Sequence, residues 1–118
     1  MLKNTLNSYS LNYTYSLSTI PNSATTTNRN TFKSYVTATL AQGKIPIIWV
    51  DAKKLQKYVD TQYGNTFGGH YVCIDSLNTS TNTVGIVDPN YYTGIPTTYT
   101  ETVANVVAAL SSSQNIIW

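Results

Sequence analysis

The chain is poor in charge. Asp, Glu, Lys and Arg make up 10% of its 118 residues, against roughly a quarter in ordinary soluble domains. The formal net charge is +2, and seven basic residues cannot lay down the stripe that phosphate neutralisation needs. That argues against a nucleic-acid partner. Long hydrophobic runs are missing too. The longest, Ile45 to Val50, falls far short of a bilayer span, so no transmembrane segment is expected. The one cysteine, Cys73, cannot close an internal disulfide. The one histidine, His70, falls short of the ligand set of a typical metal site, and neither a metal nor another cofactor is expected. No GxSxG, HExxH, CxxC, P-loop or dinucleotide fingerprint occurs. An apolar signal stretch is also absent, since Met1-Leu2-Lys3 leads into Asn4 and Thr5.

What the chain has instead is uncharged polarity: 19 Thr, 12 Asn and 11 Ser. Ten tyrosines bring the aromatics to 12%, and hydrophobic residues reach 42%. That excludes charged disorder, which pairs few aromatics with high net charge. A chain of this length buries one core, so residues 1–118 are expected to form a single domain. Polarity carried by Thr, Asn, Ser and Tyr is a surface style of exported bacterial proteins, and an extracellular or envelope location is expected.

The patterning predicts an α+β fold. Leu2, Leu6 and Tyr9 have the spacing of a short helix within residues 1–10. Leu11, Tyr13, Tyr15 and Leu17 alternate with polar residues, the period of a half-buried strand. Residues 20–30 read as a polar loop. Asn30 or Thr31 is placed to cap a helix with Phe32, Tyr35, Val36 and Leu40 inward and Gly43 as its stop. Ile45 to Val50, apolar on both faces, predicts a central strand with Pro46 at its start. Asp51 is expected to cap a short helix over 52–59, with Leu55, Tyr58 and Val59 inward and Lys53, Lys54 and Lys57 on a solvated face. A loop over 61–69 leads to strands over 70–76 and 82–88. Thr98-Tyr99-Thr100-Glu101 has the form of a capping box, followed by the stripe Val103, Val106, Val107 and Leu110. A last strand is expected over 115–118.

The acids are few, and the hairpin decides which of them His70 can use. A turn centred on Thr79 pairs Val72 with Ile86, Ile74 with Val84 and Tyr71 with Val87, apolar against apolar. The same register sets His70 opposite Asp88, with Cβ atoms about 5 Å apart. A carboxylate there can accept the imidazole N–H and fix its tautomer, as a catalytic base requires. The alternative is a polar pair closing the open end of a hairpin. Gly68 and Gly69 allow close backbone approach before the histidine, and Pro89 ends the strand after the carboxylate. Cys73 falls on the opposite face of the strand from His70 and reads as a small buried hydrophobe, not a nucleophile.

Three segments together resemble a known family: Gly43-Lys44-Ile45-Pro46-Ile47-Ile48, Gly69-His70-Tyr71-Val72-Cys73-Ile74-Asp75 and Val84-Gly85-Ile86-Val87-Asp88-Pro89. In order and spacing they are similar to the second half of the bacteriocin-processing (double-glycine) peptidase-like family, over roughly residues 31–110. The resemblance implies a papain-like cysteine peptidase fold, an antiparallel sheet with flanking helices. It also implies His70 as catalytic base, Asp88 as its orienter, and a peptide or protein substrate. The family's nucleophile lies in an N-terminal Gln…Cys-Gly motif, and nothing before residue 31 contains Cys or Gln. The N-terminal catalytic helix is therefore expected to be absent and residues 1–118 to be the C-terminal portion of such a domain, inactive alone. A dimer, or a further N-terminal segment, is expected to cover the groove this leaves. The second reading is a non-catalytic peptide- or protein-binding module, with Trp49, Gly69, Tyr71, Tyr91 and Tyr92 as contacts.

Overall fold

The computed structural model describes residues 2–4, 14–61, 68–90 and 94–118. Its frame is a six-stranded antiparallel sheet. The strands are β1 (Leu17–Ser18), β2 (Ile47–Asp51), β3 (Gly69–Asn78), β4 (Thr83–Val87), β5 (Thr98–Thr102) and β6 (Ile116–Ile117), in the order β1-β6-β2-β3-β4-β5. Two helices, α1 (Thr26–Ala41) and α3 (Val103–Ala109), pack together, with a short α2 (Gln56–Val59) after β2. The architecture is α+β, as the patterning predicts.

One face of the sheet makes the core. Strand alternation turns Ile48 and Val50 of β2, Val72 and Ile74 of β3, Val84 and Ile86 of β4 and Ile116 of β6 inward, all at most 1% exposed. Phe32 and Val36 of α1 and Val103, Val106 and Val107 of α3 close over them. Fully burying a side chain of this kind contributes about 1.5–3 kcal/mol, so this face outweighs any polar contact at the rim. Asn115 ties the chain's halves together: its amide oxygen accepts from the Ile20 backbone N–H at 2.9 Å and its nitrogen donates to the Ile20 carbonyl at 2.7 Å.

Helix α1 begins earlier than its apolar stripe does. Thr25, not Asn30 or Thr31, is the cap, its hydroxyl accepting from the Asn28 N–H at 3.2 Å. The loop expected over 20–30 therefore gives up its second half to helix. The first turn is Thr and Asn, poor helix formers that tertiary packing overrides. The stop is at Gly43, with φ at 75°: the Gly43 N–H donates to the Leu40 carbonyl and the Lys44 N–H to the Thr39 carbonyl. These are the two bonds of a Schellman ending.

Three other expectations need correction. The helix over 52–59 is broken: Ala52–Lys54 is a 3-10 turn, Leu55 is extended, and only Gln56–Val59 is α-helical. The Asp51 side chain makes no capping hydrogen bond, and Val59 is exposed, although Leu55 and Tyr58 are buried. The capping box is overturned as well. Thr98 to Thr102 is strand β5, and α3 is capped by Thr102, whose hydroxyl accepts from the Asn105 N–H at 3.1 Å. Glu101 faces inward instead and accepts from the Lys57 backbone N–H at 3.1 Å.

The hairpin register also differs. Ile74 pairs with Ile86 and Cys73 with Val87, while Leu77 pairs with Val84 and Asn78 with Thr83. Between them a β-bulge inserts one residue at Asp75. The bulge brings the half-buried Leu77 onto the core face beside Val84, which strict alternation from Ile74 would forbid. Gly85 sits under it, since a Cβ there would run into the side chains of Asp75 and Ser76. The turn is held by the Asn78 carboxamide, which accepts from the Ser80 and Thr81 N–H groups, and by Asn82 at φ 52°.

At the other end, β1 is only Leu17–Ser18, shorter than the strand expected over 11–17. Ser16 and Trp118 extend its pairing by exchanging backbone hydrogen bonds. Lys44 is buried and donates to the Thr14 carbonyl at 2.6 Å, with its ammonium 5.0 Å from the centre of the Tyr15 ring. Residues 2–4 are helical; the rest of the helix expected over 1–10 lies outside the described residues.

Candidate active site

The second residue of β3, His70, is paired with Val50 on β2 and turned toward the core face, like Val72 and Ile74. Asp88 follows the last residue of β4, and its backbone N–H donates to the Thr97 carbonyl at 2.7 Å. The observed register makes the two diagonal neighbours, not the directly opposed pair that the sequence predicts. Diagonal positions remain within reach of long side chains. The imidazole Nε2 lies 2.7 Å from Asp88 Oδ1.

Asp88 is fully buried, and three other groups donate to it. Oδ1 also accepts from the Asn90 backbone N–H at 3.0 Å. Oδ2 accepts from the Tyr58 hydroxyl at 2.8 Å and from the Tyr99 hydroxyl at 2.7 Å. The Asn90 side chain donates in turn to the Tyr58 oxygen at 2.9 Å. Burial pushes the Asp88 carboxyl up, but the hydrogen bonds from His70, Tyr99, Tyr58 and the Asn90 backbone outweigh it, and the net shift is downward. Burial, then the Asp88 carboxylate, pushes both phenols well above the usual tyrosine range, so they stay donors. An ionised carboxylate only accepts, which puts the proton of a neutral imidazole on Nε2 and leaves Nδ1 as its basic nitrogen.

The other sequence candidates are placed elsewhere. Trp49 and Tyr71 are register partners with ring centres 4.3 Å apart, on the face of the sheet opposite His70. Gly69 underlies them, because a Cβ there would collide with the Trp49 indole. Gly69→Ala is expected to cost about 1–3 kcal/mol, the usual range for overpacking. The check is the urea midpoint, with the penalty disappearing in a Trp49→Ala background. Beside Trp49 a cleft of about 450 Å³ is lined by Asn22, Asp51, Gly68, Gly69 and Ser111 among others. Tyr91 and Tyr92 lie outside the described residues.

Cys73 lies on the same face as Tyr71, away from His70, and burial pushes its thiol up. A raised thiol is a poor nucleophile. Among the described residues no three His, Cys, Asp or Glu side chains gather where a metal ion could be held.

Tyr58, Tyr99 and Asn90 were not legible as site residues. Asn90 had a signal: Asp88-Pro89-Asn90 is a sequence in which an aspartate accepts from the N–H two residues on. Tyr58 reads only as the inner face of a short helix, and Tyr99 only as part of the mistaken capping box.

The α+β sheet brings a partly exposed imidazole onto a fully buried carboxylate, an arrangement compatible with a cysteine peptidase-like domain. Residues 1–114 match the model of the Peptidase_C39 like family, and the chain belongs to that family. The match extends beyond the roughly 31–110 over which the sequence segments resemble such peptidases. No curated protein matches the chain.

Proposed function

We propose that the chain supplies the base-bearing part of a cysteine-peptidase site, with His70 as general base and Asp88 as its orienter. The observation that carries this reading is the 2.7 Å contact between Nε2 and a carboxylate held by three further donors. The reaction is peptide-bond hydrolysis. The imidazole takes a thiol proton, the thiolate attacks the carbonyl carbon, the imidazolium returns the proton to the leaving amine, and water releases the acyl group. Cys73 faces away and does not serve. Hydrolysis therefore needs a thiol from a segment other than these 118 residues.

The test is a peptide-cleavage assay on the 118-residue chain alone and on the same chain preceded by the polypeptide encoded directly upstream. Cleavage by the longer chain only is the expected result. Cleavage by the shorter chain that survives Cys73→Ser would overturn the thiol mechanism.

A second reading, a non-catalytic peptide-binding module, is favoured by the Trp49–Tyr71 pair, since Trp49 lines the cleft and Tyr71, packed on it, is 43% exposed. No cleavage by either chain, with peptide binding that Trp49→Ala abolishes and His70→Ala spares, would select it.

A further inference from the structure

Two of the protein's tyrosines direct their hydroxyls at the carboxylate that holds the imidazole, not at the imidazole itself, although the Tyr58 ring also lies tilted against it with centres 6.2 Å apart. We infer that Tyr58 and Tyr99 are positioning residues: their hydroxyls, with the Asn90 N–H, lock the Asp88 carboxylate so that one oxygen faces His70 Nε2 and the ring keeps a single tautomer. The inference rests on the peptidase reading of the pair and deepens it.

The geometry is specific. Oδ2 is taken by two phenols, at 2.8 and 2.7 Å, and Oδ1 is shared between the Asn90 N–H at 3.0 Å and the imidazole at 2.7 Å. Rotating the carboxylate about its Cβ–Cγ bond would break all four bonds at once. The two phenols come from different elements, Tyr58 from α2 and Tyr99 from β5, so the oxygen is gripped from two directions. Neither position is needed for apolar packing alone: phenylalanine would fill the same space. Asn90 contributes twice, through its backbone to Oδ1 and through its side chain to the Tyr58 oxygen, which fixes the phenol that holds Oδ2. A base that must lift a thiol proton and return it to a leaving amine has to present the same nitrogen both times. A freely turning carboxylate would let the ring exchange tautomers between the two steps.

His70 is the protein's one histidine, so the imidazole ¹⁵N spectrum of labelled chain reports on this ring alone. At a pH where the ring is neutral, the wild type is expected to show the Nε2–H tautomer. In Tyr58→Phe/Tyr99→Phe the ratio of Nε2–H to Nδ1–H is expected to fall by at least about tenfold, the factor that one hydrogen bond to a charged acceptor is worth. Ile86→Val loosens the same core next to Tyr99 and is expected to leave the ratio unchanged, which separates positioning from general destabilisation. If the double variant does not fold, each single variant is expected to move the ratio in the same direction by a smaller factor.

A ratio that stays at the wild-type value in the folded double or single variants would overturn the positioning role and leave the peptidase reading standing. An Nδ1–H tautomer in the wild type would instead overturn the His70–Asp88 orientation beneath it. Because the readout needs no thiol and no substrate, neither result depends on whether the chain hydrolyses anything.

Discussion

Asp88→Ala is expected to cost about 3–5 kcal/mol of folding stability, the range for removing one member of a buried, hydrogen-bonded charge pair. The side chain it replaces is fully buried and is the acceptor that the Tyr58 and Tyr99 hydroxyls both use. Alanine restores none of those acceptors and leaves a cavity besides. Asp88→Asn keeps the volume and one acceptor oxygen, and about 1–3 kcal/mol is expected for it. Urea unfolding at neutral pH checks both. The same carboxylate predicts an acid limb. Its folded-state pKa is lowered, so below the unfolded value of about 3.9 the unfolded chain binds the proton more readily. The stability it contributes is complete above that value and is lost as pH falls through the lower folded one. The wild-type urea midpoint is expected to decline below about pH 4, and Asp88→Asn to lack the share due to this group. An Asp88→Ala chain as stable as wild type would show that the cradle does not hold the fold.

The balance behind that number is the point at which sequence reading stops. Period and apolarity were enough for β2, β3, β4 and the stripe on α3, because each of those segments has one solution that buries its side chains. They were enough, too, to bring His70 and Asp88 to one face. They could not place the hairpin register. The bulge at Asp75 depends on Leu77 finding the core and on Gly85 leaving room, and both are tertiary facts. Thr98 to Glu101 failed for a related reason. The motif has the chemistry of a helix start, but Tyr99 and Glu101 are worth more turned inward from a strand, one donating to Asp88 and the other accepting from Lys57. Local propensity amounts to a few tenths of a kcal/mol per residue and a cap to about 1 kcal/mol, too little against a buried charged network. The first turn of α1 shows the opposite failure: a Thr- and Asn-rich stretch that composition assigns to loop is helical once Thr25 caps it. Trp49 and Tyr71 are read as binding contacts because aromatic side chains dominate hot spots, and the period of two puts both on the face of the sheet opposite His70.

His70→Ala, made in the form of the protein that carries the thiol, is expected to lower peptide cleavage by about ten-thousand-fold, the upper end for a positioned general acid–base. The upper end applies because one ring has two duties. It must generate the thiolate, and it must protonate an amine that leaves poorly without a proton. Within residues 1–118 no second histidine stands in for it, and Glu101 is committed to the Lys57 backbone N–H. The fold should tolerate the change far better than it tolerates Asp88→Ala. The imidazole is partly exposed, and Asp88 keeps the Tyr58, Tyr99 and Asn90 donors when it goes. A stability loss of about 1.5–3 kcal/mol is expected, the worth of one hydrogen bond to a charged acceptor. Activity and stability therefore separate in opposite directions at the two ends of one 2.7 Å contact: the histidine matters most to rate, the aspartate most to folding. Measuring cleavage and urea midpoint on the same His70→Ala sample tests that separation. Cleavage at more than about a tenth of the wild-type rate would remove the imidazole from the chemical step, since general acid–base catalysis is worth at least about a hundredfold.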